Sequence, residues 1–183
     1  VGSFKDATHI TITGEETTEI EATHSIIATG SKPSTLPFIT LDKERVITST
    51  EALKLKEIPK HLIIIGGGVI GLELGQVYRR LGAEVTVIEY MDRILPTMDA
   101  GLSKELNKVF KKAKCKMMLS HKVQSVERNG DEVIVKAENK KGEVVEFKGD
   151  YCLVSVGRKP YTDGLNLEAA GVKLTDRGQV ETN

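Results

Sequence analysis

The chain is poor in the residue types that several common classes of protein require. It has no Trp, four Tyr and four Phe in 183 residues, so few rings are available for stacking on nucleic-acid bases. Its 26 basic and 26 acidic side chains cancel, which argues against a nucleic-acid partner. No apolar run approaches the roughly 20 residues that cross a bilayer, and the first residues show no signal-peptide pattern. We therefore expect a soluble protein that is neither membrane-bound nor secreted in this form.

Cysteine and histidine are too few and too scattered to predict a disulfide framework or a metal site. The only two cysteines, Cys115 and Cys152, form no C-x-x-C pair. Cys152 begins an apolar run that extends to Val156, which predicts a buried and unreactive thiol. Nothing in the sequence supports a hydrolytic triad or a pair of catalytic carboxylates. The four histidines share no spacing typical of metal ligands: His9, His24, His61 and His121.

The most informative segment is an apolar, β-branched run that enters a Gly-x-Gly-x-x-Gly turn at residues 62–71. Gly66 permits a tight turn out of the strand, and Gly68 lets the backbone approach a pyrophosphate. Gly71 allows the following helix to pack closely on the strand, and the free N–H groups at the start of that helix face the phosphates. The segment predicts a dinucleotide site. The alternative is a βαβ unit whose glycines only permit close packing.

An acid at the end of the next strand bears on which nucleotide binds. Residues 84–89 form an apolar strand pattern that ends in Glu89. In dinucleotide sites an acid about 20 residues after the glycine motif accepts hydrogen bonds from the ribose hydroxyls, and Glu89 lies near that position. A carboxylate there repels the 2′-phosphate of NADP, and Tyr90 and Met91 supply no cation; Arg93 is the nearest one. We therefore expect NAD rather than NADP. A solvated acid at a strand end is the alternative interpretation of Glu89.

Hydrophobic periodicity predicts helices around this motif. One helix follows the glycines and ends at Gly82, a second extends from Asp99 to Lys114, and a capping box at Thr48 and Glu51 predicts a short helix through Leu55. The residues expected to face the core are Ile70, Leu74, Val77, Tyr78 and Leu81 in the first helix, and Leu102, Leu106, Val109 and Phe110 in the second.

Strand patterns complete the predicted domain. Residues 116–120 predict a third parallel strand, and residues 152–156 predict a fully apolar strand that returns to the sheet. Alternating segments at 123–128, 132–138 and 144–148 predict a meander, because Asn129-Gly130 is a strong hairpin signal. The fold class is α/β, with a doubly wound, Rossmann-like parallel sheet and a three-stranded β-meander. Ligands of such sheets bind at the carboxyl ends of the strands, which places Gly66, Glu89 and Gly157 on one rim.

The first 40 residues differ from the rest of the chain. Residues 8–13 and 18–22 alternate as in a hairpin, and Ser25–Ala28 is typical of a short buried strand. Pro33 and Pro37 exclude helix beyond it. This segment has too few strands and too little apolar surface to be stable alone, so we expect it to be part of a larger sheet.

Five stretches occur in an order that is more specific than any single motif: residues 26–31, 49–53, 66–75, 81–89 and 156–160. In this order they resemble the flavin-dependent pyridine nucleotide-disulfide oxidoreductases, and within them most closely the dihydrolipoyl dehydrogenases. The resemblance implies a whole enzyme that oxidises dihydrolipoamide through a redox disulfide and FAD and passes hydride to NAD. It also implies a partial FAD-domain segment at 1–40, an NAD-binding domain at 41–160 and a linker towards the FAD domain at 161–183.

The resemblance implies roles for residues beyond the glycines. It implies that Glu73 lies near the nicotinamide carboxamide, Val123 against the adenine, and Gly157 where the nicotinamide half approaches the flavin. The respective alternatives are an acid that complements the helix dipole, core packing and a strand-ending turn. The implied NAD-binding residues are Gly66, Gly67, Gly68, Val69, Ile70, Gly71, Leu72, Glu73, Glu89, Val123 and Gly157, and the implied FAD-binding residues are Ala28, Thr29, Gly30 and Ser31.

The same resemblance implies partners and limits. No residue of the chain matches the family's Cys-x-x-x-x-Cys pair or its His-Glu pair, so we expect no catalytic residue and no metal here. The expected partners are the FAD and dimerisation domains of the same enzyme and a 2-oxo acid dehydrogenase complex, in the bacterial cytoplasm or the mitochondrial matrix. Alternatives are another flavin disulfide or peroxide reductase, a non-catalytic dinucleotide-binding module, and a structural domain that has lost its ligand. The intact glycines and Glu89 argue against the last.

Overall fold

A computed structural model describes residues 1–182 and divides the chain into two compact units. We call Pro33–Gly157 the central unit, and Val1–Lys32 together with the residues from Arg158 onward the terminal unit. The strands are β1 (Gly2–Phe4), β2 (His9–Thr13), β3 (Thr17–Glu21), β4 (Ser31–Pro33), β5 (Val46–Ile47), β6 (His61–Ile65), β7 (Glu84–Glu89), β8 (Lys116–Leu119), β9 (Lys122–Asn129), β10 (Glu132–Glu138), β11 (Val144–Gly149), β12 (Tyr151–Val154) and β13 (Arg158–Pro160). The helices are α1 (Ser49–Ala52), α2 (Val69–Arg80), α3 (Ala100–Lys112) and a 3-10 turn (Leu167–Ala170).

The central unit is built on a five-stranded parallel sheet in the order β5-β12-β6-β7-β8. In the middle strand, β6, Ile64 lies beside Leu153 of β12 and Val87 of β7. This sheet, with its helices, confirms the predicted α/β, Rossmann-like class and the three parallel strands at 61–65, 84–89 and 116–119. Among the described residues, no helix has the length and apolar character to cross a membrane.

Strand β6 is apolar on both sides because both faces of the sheet are covered. Leu62 and Ile64 belong to the core cluster formed with the helices, whereas Ile63 and Ile65 belong to the cluster formed with the meander. All four side chains are buried. A strand that is covered on both faces has apolar residues at every position. The sequence of residues 62–65 is therefore not alternating.

The meander β9-β10-β11 is antiparallel and covers one face of the sheet. Its middle strand alternates, with Val133, Val135 and Ala137 fully buried. The turn between β9 and β10 contains Gly130 at a φ of 62°, the left-handed conformation that the Asn-Gly signal predicts. The predicted meander is therefore confirmed.

The packing face of α2 differs from the predicted one. Val77 and Leu81 are about half exposed, so the expectation that they face the core is wrong. Added Cβ atoms at Gly71 and Gly75 would come within 3.0 Å of the Ile64 side chain, so the helix approaches β6 along its glycines. The prediction was based on large apolar residues alone, so it placed the core face of α2 on a different side of the helix from these glycines. The buried residues of α2 are Gly71, Leu72, Gly75 and Tyr78.

The other helices match the predictions in position and differ in detail. Asp99 caps α3 by accepting from the amides of Gly101 and Leu102, but the side chains of Leu102 and Val109 are mostly exposed, so their assignment to the core is wrong. Phe110 is buried as expected, together with Ser103. The capping box of α1 is present, but this helix ends at Ala52 and not at residue 55.

The terminal unit contains the antiparallel sheet β1-β2-β3, which confirms the predicted hairpin strands. The strand expected at Ser25–Ala28 is wrong: Ile26 is 93% exposed, and within residues 1–182 no strand pairs with this segment. An apolar run forms a strand only where a neighbour accepts and donates its backbone hydrogen bonds. The described residues provide no such neighbour for it.

An aromatic and charged cluster lies at the amino end of the sheet in the central unit. The guanidinium of Arg45 lies 4.5 Å from the ring centroid of Tyr151, and donates to Glu57 at 3.1 Å and to Asp131 at 3.0 Å. The hydroxyl of Tyr151 donates to Glu57 at 2.7 Å. Burial and this hydrogen bond raise the pKa of Tyr151 to about 12.

This raised pKa predicts a loss of stability at alkaline pH. Because the folded state holds the pKa of Tyr151 above its unfolded value of about 10, the neutral phenol stabilises the fold fully below pH 10. That contribution is lost as the pH rises through the folded value of about 12. Urea unfolding should show stability falling across this window in the wild type and a shallower fall in Tyr151→Phe. Parallel curves for the two proteins would contradict the assignment.

Candidate functional site

A cleft of about 630 Å³ opens in the central unit at the carboxyl ends of the parallel strands. Gly66 follows β6, Glu89 ends β7, and Gly157 lies shortly after β12; all three line this cleft. Their predicted placement on one rim is therefore confirmed. The volume lies in the range of roughly 300–1,000 Å³ that is usual for small-molecule and cofactor sites.

The turn from β6 into α2 depends on glycine at two points. Gly66 has a φ of +105°, and a Cβ there would lie 2.5 Å from the Ser155 carbonyl oxygen. A Cβ on Gly71 would lie 2.5 Å from both the Gly66 carbonyl oxygen and the Ser155 hydroxyl. Only glycine fits at both positions, and the predicted close packing of helix on strand is confirmed.

The first turn of α2 presents free backbone amides. The first bond inside the helix is Leu72 N–H to the Gly68 carbonyl at 3.1 Å, and Gly68 provides no side-chain cap. Within residues 1–182, the amides of residues 68–71 donate to no protein acceptor. Unsatisfied amides at the positive end of a 12-residue helix attract an anionic ligand. Gly68, Val69 and Ile70 line the cleft.

Gly68 leaves the approach to these amides open. A Cβ built on Gly68 meets no atom within 4 Å, so the space in front of its backbone belongs to the cleft and not to packing. Its φ of −80° is one that any residue adopts. Backbone conformation therefore does not require glycine at this position, whereas the close approach of a bulky anion would.

Glu89 is a nearly buried carboxylate, 8% exposed, with one backbone donor on each oxygen. Its Oε2 accepts from the Gly67 amide at 2.6 Å, and its Oε1 accepts from the Met91 amide at 2.7 Å. Each carboxylate oxygen has two lone pairs, so one acceptor position remains on each for ligand hydroxyls. The interpretation of Glu89 as a solvated surface acid is therefore wrong.

A loop that follows β7 holds the glycine turn from the other side. The Leu95 amide donates to the Gly67 carbonyl at 2.9 Å, and Ile94 is fully buried against Gly67. Leu95 adopts a φ of 47°, which is uncommon for a non-glycine residue. Gly67 is thus hydrogen-bonded through both its amide and its carbonyl before any ligand binds.

The remaining predicted site residues lie in four different surroundings. Val123 lines the cleft, whereas Leu72 is buried in the helix and sheet contact and Glu73 is exposed and outside the cleft wall. The implied FAD-binding residues 28–31 belong to the terminal unit. There the Thr29 hydroxyl donates to the Tyr161 carbonyl at 2.6 Å.

Some lining residues carry no motif and were not predicted. Leu36 and Phe38 come from the segment before β5, and His121 and Lys122 come from the junction of β8 and β9. Their place in the cleft depends on how distant strands meet, which no local pattern reveals. Arg93, the nearest cation in sequence, donates to the Pro96 carbonyl at 2.8 Å and is not part of the wall.

The cysteines are placed as unreactive core residues. Cys115 and Cys152 are both free and buried, which confirms the prediction for Cys152, and burial raises the pKa of each thiol. Within the described part of the chain, no cluster of His, Cys, Asp and Glu could hold a metal ion.

Neither thiol should therefore react in the native protein. A chromogenic disulfide reagent at neutral pH should label no cysteine in the folded protein and two after denaturation in urea, because buried thiols stay protonated and inaccessible. Cys152→Ser should reduce the denatured count to one. Rapid labelling of the folded wild type would contradict the burial of these side chains.

Comparison with known proteins places this geometry in a family. The profile described as pyridine nucleotide-disulphide oxidoreductase matches residues 2–183. The chain belongs to the pyridine nucleotide-disulphide oxidoreductase family. The resemblance inferred from the sequence is confirmed.

Relatives within this family are named as dihydrolipoyl dehydrogenases. Dihydrolipoyl dehydrogenase 3 of Pseudomonas putida is 48% identical over 89% of this chain, which covers 35% of that protein. The mitochondrial dihydrolipoyl dehydrogenase of Pisum sativum is 44% identical over 94% of this chain, which covers 34% of that protein. The chain thus spans about a third of the length of these relatives.

Two solved structures share the fold of this chain. The crystal structure of LpdA from Mycobacterium tuberculosis matches with a TM-score of 0.84 and 34% identity, over 97% of this chain and 39% of that one. The Cu(II) complex of RclA, an HOCl-induced flavoprotein disulfide reductase from Escherichia coli, matches with a TM-score of 0.87 and 26% identity, over all of this chain and 41% of that one.

Proposed function

We propose that the central unit contains most of the NAD-binding domain of a flavoprotein of the dihydrolipoyl dehydrogenase type. The observation that carries the proposal is the meeting, in one cleft, of free helix amides and a buried carboxylate. The amides of residues 68–71 suit a pyrophosphate, and Glu89 suits the adjoining ribose. The names and identities of the relatives support the same assignment.

The residues of this chain would bind and orient the nucleotide, while the hydride chemistry belongs to the cofactors. Bound NAD would supply an acceptor for hydride from reduced FAD. Gly68 provides the open approach for the phosphates, and the free lone pairs of Glu89 accept from two hydroxyls. Gly157 lines the opposite part of the cleft, where the nicotinamide half would lie.

Glu89 favours NAD over NADP for an electrostatic reason. A nearly buried carboxylate cannot move away from a 2′-phosphate, because backbone amides hold both its oxygens. Two negative charges in contact and shielded from water repel strongly. Lys122 also lines the cleft and is the cation that could weaken this repulsion.

Replacement of Glu89 by Ala should weaken the binding of NAD more than the binding of NADP. The change removes the ribose acceptors and also the charge that opposes the 2′-phosphate, so the NAD preference should fall roughly tenfold or more, as expected for charge-assisted hydrogen bonds. Titration calorimetry with both nucleotides measures this ratio. Glu89→Gln keeps the shape if the alanine variant is unstable.

Glu84→Gln is the matched control, because Glu84 lies at the other end of the same strand, is exposed, and pairs with Lys116. It should leave both affinities unchanged. Equal losses for the two nucleotides in the Glu89 variants would remove the support for a ribose contact.

The whole protein's role is a wider proposal. We infer that residues 28–31 contact FAD, that residues 1–40 and 161–183 flank the NAD-binding domain 41–160 as parts of an FAD domain, and that the remaining FAD and dimerisation domains complete the enzyme. Dihydrolipoamide is the proposed substrate, a 2-oxo acid dehydrogenase complex the proposed partner, and the bacterial cytoplasm or mitochondrial matrix the proposed compartment. The proposed domain division and the cofactor roles of individual residues stay predictions.

A further inference from the structure

His121 lies at the same end of the cleft as Glu89 and Val123 and was not among the predicted ligands. It directly follows the left-handed residue Ser120, whose φ is 56°, and it lines the cleft. Its backbone amide donates to the Glu89 carbonyl at 2.9 Å. The backbone of His121 is therefore held beside the acid proposed to bind the adenosine ribose.

The surroundings of the imidazole determine which nitrogen carries the proton. Nδ1 lies 2.7 Å from the Leu119 carbonyl oxygen, which can only accept, so Nδ1 is the donor. In the neutral ring Nε2 is then an acceptor. Among the described residues, no protein group hydrogen-bonds to Nε2.

The ring is also held by packing. The Phe147 ring lies edge-to-face with it, with centroids 6.1 Å apart and an interplanar angle of 71°. An oriented ring with one free acceptor suits recognition of a ligand N–H, because little side-chain freedom remains to be lost on binding. The adjoining Val123 offers an apolar surface without hydrogen-bonding groups.

We propose that His121 recognises the base of the bound nucleotide, with Nε2 accepting a hydrogen bond from the exocyclic amino group of adenine. This inference rests on the proposed function, because it takes the ribose of the same nucleotide to lie on Glu89. The exocyclic group of adenine is an amino group, which donates, whereas hypoxanthine has a carbonyl oxygen in its place, which only accepts. Nε2 would therefore favour adenine and oppose hypoxanthine.

The test compares NAD with nicotinamide hypoxanthine dinucleotide by titration calorimetry. The wild type should bind NAD about three- to tenfold more tightly, which is the effect of one neutral hydrogen bond. His121→Phe keeps a ring against Phe147 and removes the acceptor, so it should bind the two nucleotides equally. His24→Phe, at an exposed position of the terminal unit, should retain the wild-type ratio.

The outcomes separate this inference from the function on which it rests. Failure of the wild type to bind NAD would overturn the proposed function. Binding of both nucleotides with equal affinity by the wild type would overturn the role of His121 and leave the proposed function in place. If His121→Phe keeps the wild-type ratio of the two nucleotide affinities, the role of His121 is likewise overturned and the proposed function stays in place. The wild-type ratio alone decides the matter if the variant does not fold.

Discussion

A Gly68→Ala variant will fold with nearly wild-type stability and lose most of its affinity for NAD. The new methyl group meets no protein atom within 4 Å, and the φ of −80° suits alanine. The loss of a glycine N-cap should cost less than about 1 kcal/mol. The methyl group would instead fill the space through which the proposed pyrophosphate would reach the amides of residues 68–71.

We expect an affinity loss of about tenfold to a hundredfold, equivalent to one charge-assisted hydrogen bond of roughly 1.5–3 kcal/mol. Calorimetric titration measures the affinity, and thermal unfolding without nucleotide measures the stability. Undiminished NAD binding by this variant would show that the phosphates do not pass in front of Gly68.

A Gly71→Ala variant should behave in the opposite way, with the main effect on folding. Its methyl group would lie 2.5 Å from the Gly66 carbonyl and the Ser155 hydroxyl, and 2.9 Å from Ile64. Overpacking of this kind costs about 1–3 kcal/mol or more, and a backbone atom cannot move away as a side-chain end can. We expect a net destabilisation of about 2 kcal/mol despite the better helix propensity of alanine.

Urea unfolding should show a lower midpoint with an unchanged m-value for Gly71→Ala. Gly75→Ala provides a graded comparison, since its methyl group would meet the flexible Ile64 Cδ1 atom at 2.7 Å and should cost less. Equal stability of Gly71→Ala and wild type would contradict the close contact of α2 with the sheet.

The sequence predicts the sheet well because its signals are local. Buried strands such as 62–65 are apolar throughout, the Asn129-Gly130 turn fixes its hairpin, and the spacing of Gly66 and Gly71 is set by the turn itself. The shared rim of Gly66, Glu89 and Gly157 then follows from the general rule that ligands bind at the carboxyl ends of parallel strands.

The errors arise where packing depends on distant partners. The core face of α2 follows its glycines, which carry no hydrophobic signal, and Val77 and Leu81 are exposed as a result. Ile26 has the composition of a buried strand but lacks a neighbour among residues 1–182. His121 reaches the cleft only because β8 aligns with β7, which is invisible in its own sequence context.

The amide of Gly67 has a consequence for redesigning coenzyme preference. It donates a hydrogen bond to Glu89. The acid proposed to bind the ribose therefore also stabilises the glycine turn proposed to bind the phosphates. Exchange of Glu89 for a cation would add attraction for a 2′-phosphate. It would also leave the buried Gly67 amide without a hydrogen-bond acceptor, which costs about 1–3 kcal/mol. A conversion to NADP would therefore need two substitutions, one for the new charge and one that restores an acceptor for this amide.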